Sequence, residues 1–206
     1  MSATNTARVL LATVVLCAIA LLSSSAFAQA RSNDGPRFRG GFSLVAGPYV
    51  PYGVSGSSAS GGAGGLSLRA GVQINHYVGV YVQSQNLIGA IAAQSSSGTL
   101  SGALMGHSQN SLMASITVAH TLELAGGPSF DVLGFGNCDS QTLSCGSGIE
   151  TGVGGHARAA LLLGGWAPTS ARRFGLSLSA DVHPTKYVGQ SGGLVGVMFG
   201  LGLDWF

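Results

Sequence analysis

The sequence predicts an all-β protein: an eight-stranded antiparallel up-and-down transmembrane β-barrel. Three observations carry that reading. Charged residues make up 8% of the chain, against about 25% in soluble domains, yet no helix-length apolar run follows the N-terminal leader. Apolar and small polar residues alternate in strand-length segments, a period of two that gives each segment one greasy face. The last such segment, Val195 to Phe206, alternates up to an aromatic residue at the end of the chain, as expected of a strand that closes a barrel. In hydrocarbon an unpaired backbone group is costly, so strands that span a bilayer must close on themselves.

Residues 1–28 read as a secretory signal peptide. Arg8 follows a short polar start, Val9 to Leu22 is apolar, and Ala26-Phe27-Ala28 is a small-residue cleavage site. The apolar core is shorter than the ~20 residues of a transmembrane helix. Cys17 sits inside that core behind Leu16, the wrong setting for lipidation. Residues 29–37 are a flexible polar lead-in, and 38–206 are the barrel, one domain in length.

The strands follow in order. Arg39 to Val50 is the least regular. Leu66 to Asn75 is the clearest, with Leu66, Leu68, Ala70, Val72 and Ile74 opposite Ser67, Arg69, Gly71, Gln73 and Asn75. After a tight turn at 75–77, Val78 to Leu87 sets Val78, Val80 and Val82 against Tyr81, Gln83 and Gln85. Leu112 to Leu124 reads as the fourth strand, and Ala125-Gly-Gly-Pro-Ser129 as the turn that ends it. Phe130 to Asn137, His156 to Trp166, Phe174 to His183 and the terminal run complete the eight. Pro184 is expected to stop the seventh ladder. Connectors 51–65, 88–111, 138–155 and 184–193 are long, and 75–77, 125–129 and 167–173 are short. Long loops outside, short turns in the periplasm and both termini in the periplasm produce that alternation.

Alternation alone does not say which face meets lipid, since a soluble barrel alternates too. The residue inventory decides. An outward small-polar face with a single lysine, Lys186, placed in a loop, would be a poor soluble surface. Lipid therefore lies outside. Arg69, Glu123, Asp131, Arg158, Asp181 and Asp204 then point inward, where opposite charges should pair into a plug. Glu123 and Asp204 lie near the periplasmic end, within reach of water. Trp205 and Phe174 fit the periplasmic aromatic belt, and His120 falls on the lipid face near a strand end.

Cys138 and Cys145, in the run CDSQTLSC, are the cysteines left after processing. In an oxidising compartment a disulfide is the default, and so short a loop stabilises by about 2–2.5 kcal/mol in the chain-entropy model. The spacing is wrong for a zinc hook. No metal or cofactor is expected, and no basic patch calls for nucleic acid.

With its leader, eight alternating segments, loop alternation and ending Leu201-Gly-Leu-Asp-Trp-Phe206, the chain resembles the small eight-stranded outer-membrane barrels of the OmpA/OmpX-like superfamily. The resemblance implies the bacterial outer membrane, contact with its lipid, and an ending (Trp205 and Phe206) read by the barrel assembly machinery. Phe206 departs from that pattern, because Val195 through Trp205 share a parity that it breaks. Barrels of this superfamily that modify lipid A use a His-x-Ser pair, or loop His, Ser and Asp residues. No histidine here has a serine two residues on. His107, Ser108 and Asp139, in loops, could be cast in the second role, but no nucleophile is visibly tied to a base. Gly61 to Gly65 lacks the Lys-Ser/Thr of a phosphate loop.

The expectation is a monomeric, non-enzymatic outer-membrane barrel of structural or surface-display type with a largely plugged lumen. The alternative is a narrow channel for small or apolar solutes, resembling the OmpW-like branch. A lipid A-modifying acyl enzyme is the third reading.

Overall fold

The computed structural model describes residues 36–53, 57–75, 77–95, 100–118, 121–139, 144–163, 174–190 and 192–205. The expected signal peptide, most of the expected lead-in, His120 and Phe206 lie outside the described residues. Eight strands form: β1 (Arg37–Tyr52), β2 (Ser57–Gln73), β3 (Val78–Ser95), β4 (Leu100–Val118), β5 (Leu122–Asp139), β6 (Ser144–Leu163), β7 (Phe174–Tyr187) and β8 (Gly193–Trp205). Each pairs antiparallel with its neighbours in sequence, and β1 pairs with β8, so the sheet is a closed up-and-down barrel. Closure removes both sheet edges.

Orientation follows the inventory argument. Leu44, Ile88 and Leu104 are 65%, 78% and 71% exposed, whereas Arg69, Gln83 and Asp181 are no more than 3% exposed. Apolar side chains cover the outer wall and polar ones enter the lumen, the arrangement that hydrocarbon imposes. The turn at 74–77 is built on Asn75, whose Oδ1 accepts from the backbone N–H of Tyr77 and Val78, both at 2.8 Å. An Asx side chain mimics the backbone there.

Several expected boundaries move. Leu122 and Leu124 belong to β5, since Val118 pairs with Leu122 and the hairpin turns at 119–121. That connector leaves the parity of Val118 and Leu122 unchanged, so a period-two pattern runs through the turn unseen. Ala125 to Ser129, expected as a turn, lies inside β5. Pro184 does not end β7, which continues to Tyr187. Pro48, Pro128 and Pro184 each sit at a gap in one ladder while keeping register on the other side, opposite Gly62, Gly155 and Val195. A proline forfeits one ladder bond, not two. Beside two of them, glycine permits a close approach: a Cβ on Gly47 or Gly127 would strike the carbonyl oxygen of Val197 or Leu112.

The long connectors are also mostly strand. The Gly/Ser-rich 57–65, residues 88–95 and 100–111, and most of 138–155 extend the sheet. Lys186, expected in a loop, is an exposed residue of β7. Strands β2 to β6 are 17, 18, 19, 18 and 20 residues long, against 14 and 13 for β7 and β8. A tilted strand crosses a bilayer in about 9–11 residues. The barrel therefore carries a raised β-wall, built from β2 to β6, at the end away from the start of β1 and the finish of β8. Gly and Ser read as loop by composition, but a continuous ladder needs only backbone groups.

Candidate functional site: the lumen

Alternation aims the odd-numbered residues of β1 to β5 and β7, and the even-numbered residues of β6 and β8, into the bore. In the half that holds the start of β1 and the end of β8 they form one charge network. Arg39 pairs directly with Glu123, and its guanidinium lies 4.5 Å from the centroid of the Tyr81 ring. The Tyr81 hydroxyl donates to Glu123 at 3.0 Å. Arg69 grips Asp204 through two parallel bonds, Nε to Oδ1 at 3.0 Å and Nη2 to Oδ2 at 3.1 Å, and also donates to Ser43 at 2.8 Å. This bidentate geometry is the strong form of an arginine–carboxylate pair.

Arg158 stands at the centre. It donates to Asp181 at 3.1 Å, and its nitrogens lie 3.9 Å from Glu123 and 3.8 Å from Asp204. One guanidinium thus joins three carboxylates from three other strands. Asp181 is held further by Gln83 Nε2 at 3.1 Å and by His156, whose Nε2 lies 2.8 Å away. All these charged groups are buried.

Above this layer lies a histidine layer. The rings of His156 and His183 are 4.7 Å apart. His183 Nε2 lies 3.1 and 3.2 Å from the two oxygens of Asp131, to which Thr185 also donates. Higher still, His107 is clasped between two tyrosines: Tyr49 Oη lies 2.8 Å from its Nδ1 and Tyr187 Oη lies 3.2 Å from its Nε2. The same tyrosines join an apolar cluster of Val45, Leu87, Met105, Leu133, Leu194 and Met198.

All six lumen charges expected from the sequence therefore face inward. Arg69, Glu123, Arg158, Asp181 and Asp204 are brought into one network, while Asp131 stands apart with histidine and threonine. Three expectations change. Glu123 and Asp204 are 1% and 2% exposed, because Arg39, Arg69 and Arg158 cover them from neighbouring strands. His107 is not in a loop but buried in β4. The bore is not lined by polar residues alone, since its outer half also holds the apolar cluster of Val45, Leu87, Met105 and Leu133. Arg39, His156 and His183 were missed as members of the site. The parity of Phe42 and Leu44 could have turned Arg39 inward. His156 stood at the start of an expected strand and His107 in an expected loop, so their parity was not counted; His183 shared the inward parity of Asp181 but was given no role.

His107 and Ser108 point to opposite faces of β4, one into the lumen and one outward. Adjacent residues of a strand do so necessarily, and the pair cannot work as base and nucleophile. Cys138 and Cys145 are cross-strand partners in the register of β5 and β6, although their side chains lie outside the described residues.

At the closing seam, Trp205 pairs with Gly40 of β1 and Phe174 of β7. The closed eight-stranded architecture finds its match among solved structures. The barrel is similar to Ail, the attachment invasion locus protein of Yersinia pestis, with a TM-score of 0.51 at 12% identity, over 84% of this chain and 99% of that one. This chain has the fold of the small eight-stranded outer-membrane barrels. Ail solved in complex with the heparin analogue sucrose octasulfate gives a TM-score of 0.50 at 13% identity, over 81% and 99%. Neisserial surface protein A gives 0.47 at 11%, over 83% and 98%. No family model and no curated protein matches the sequence.

Proposed function

We propose that the protein is an integral outer-membrane barrel with a sealed lumen, serving a structural role or displaying its raised β-wall at the cell surface, and not an enzyme. The sharing of Arg158 among Asp181, Glu123 and Asp204 carries the reading. A water-filled path would solvate these groups separately, whereas here they satisfy one another across the bore. The separation of His107 and Ser108 onto opposite faces speaks against acyl transfer. A narrow path for small apolar solutes is the second reading, favoured by the apolar cluster in the outer half of the lumen.

Refolded protein in planar bilayers separates the two. The wild type is expected to give no discrete current steps, and Arg158→Ala to give them, because three carboxylates left without their common cation repel and draw in water. Frequent wild-type openings would overturn the sealed reading.

Trp205 and Phe206 are assigned to recognition by the barrel assembly machinery. A Cys138–Cys145 disulfide is inferred from their facing positions in the register. Mass spectrometry of alkylated, unreduced protein from the cell envelope should find both thiols blocked to reagent. Full alkylation would refute the bridge.

A further inference from the structure

Over the ten residues next to the β1-start and β8-end side of each strand, the outward-facing described residues are apolar except in one place; Thr151 and Lys186 lie higher. Ser84 and Asn86 of β3 and Ser108 and Asn110 of β4 point outward, and the register sets Ser84 opposite Asn110 and Asn86 opposite Ser108. They form a compact block of two hydroxyls and two carboxamides. Asn86 donates to Ser84 at 3.4 Å and Asn110 to Ser108 at 3.3 Å, which leaves both amide oxygens and one N–H of each amide for another partner. Asn86 and Asn110 each lie eight residues above the periplasmic end of their strand, at Val78 and Val118. A strand tilted about 40° climbs about 2.5 Å per residue, so the block sits about 20 Å up an apolar band of about 25 Å. Val82 and Leu112 lie below it and Ile88 and Leu104 above, all exposed. On that count Ser84, Asn86 and Asn110 lie within the apolar band, and Ser108 lies at its upper edge.

Beside it the wall is hollow. Gly64, Gly106 and Gly134 line a concavity of about 550 Å³ whose lining also includes Asn86, Ser108, Ile88 and Ile149. A Cβ on Gly106 would meet nothing within 4 Å.

We infer that this face of β3 and β4 binds a second copy of the same chain within the membrane. Acyl chains offer no hydrogen bonds, so a carboxamide facing them carries a desolvation cost without return. Carboxamides and hydroxyls are both donors and acceptors, so the block complements itself, as a two-fold interface requires. Buried polar side chains hold membrane-spanning segments together in this way. The glycine-lined hollow is a receptor for an apolar knob such as the partner's Ile88, which stands 78% exposed beside it. This proposal departs from the sequence-based expectation of a monomer.

The test uses the full mature chain with Cys138 and Cys145 replaced by serine, reconstituted in phospholipid vesicles. A short bis-maleimide linker should join Ile88→Cys protomers, whereas Phe199→Cys, exposed on β8 away from the block, should remain uncoupled. Adding Asn86→Leu and Asn110→Leu should cut the Ile88→Cys product about tenfold while the heat-modifiable folded band survives on detergent gels. Equal coupling at Phe199 and Ile88, or coupling indifferent to the two leucines, would overturn the proposal. So would an amphiphile that copurifies with wild type and is lost in the double-leucine variant, since a lipid would then be the occupant.

Discussion

Arg158→Leu is expected to destabilise the folded barrel by about 3–5 kcal/mol, the range found when one partner of a buried ion pair is removed. The cost arises from what stays behind. Asp181 loses the arginine it pairs with, and Glu123 and Asp204 lose a shared neighbour. Arg39 still covers Glu123, and Arg69 still covers Asp204. The double variant Arg158→Leu/Asp181→Leu should therefore recover most of the loss, because two balanced pairs remain. Arg158→Lys should fall between, since a point charge cannot bridge three carboxylates as a planar fork does. Urea titration of protein folded into vesicles, read by tryptophan fluorescence, measures all three. A neutral Arg158→Leu would mean that water already fills the bore.

Gly127→Val is expected to cost at least about 3 kcal/mol, enough to erase the heat-modifiable band, while its neighbour Gly126→Val keeps that band. A Cβ on Gly127 would collide with the Leu112 carbonyl, whereas a Cβ on Gly126 meets only the His156 carbonyl oxygen at 3.5 Å. The first points into a crowded ladder and the second toward lipid, where valine is welcome. If Ala125 to Ser129 were a turn, no such contrast between adjacent glycines would arise. Equal tolerance at both positions would argue for the turn and against β5 as described.

The class of fold and its orientation were legible because hydrocarbon imposes a simple rule on every spanning residue, and Leu66 to Asn75 obeys it without exception. The inward charges Arg69, Glu123, Asp131, Arg158, Asp181 and Asp204 followed from the same parity. Their partners did not follow. Arg158 meets Asp204 and Glu123 only because the closed sheet brings β5, β6 and β8 around one bore, and parity carries no information about distance across it. The hairpin at 119–121 was hidden by an unchanged parity. The extracellular strands were hidden by composition, since glycine and serine signal loops wherever no bilayer demands greasy neighbours. That error also concealed Ser84, Asn86, Ser108 and Asn110 as one block, because Ser108 and Asn110 were taken for loop.

The continuation of β2 to β6 beyond the bilayer changes what the outside world can grasp. A protease must thread a loose stretch of chain into its cleft, and an antibody raised to a flexible synthetic peptide expects its epitope to bend. Backbone locked in a ladder offers neither. Side chains on that palisade can be exchanged one at a time, because backbone groups hold the ladder, without giving a protease a slack thread to pull.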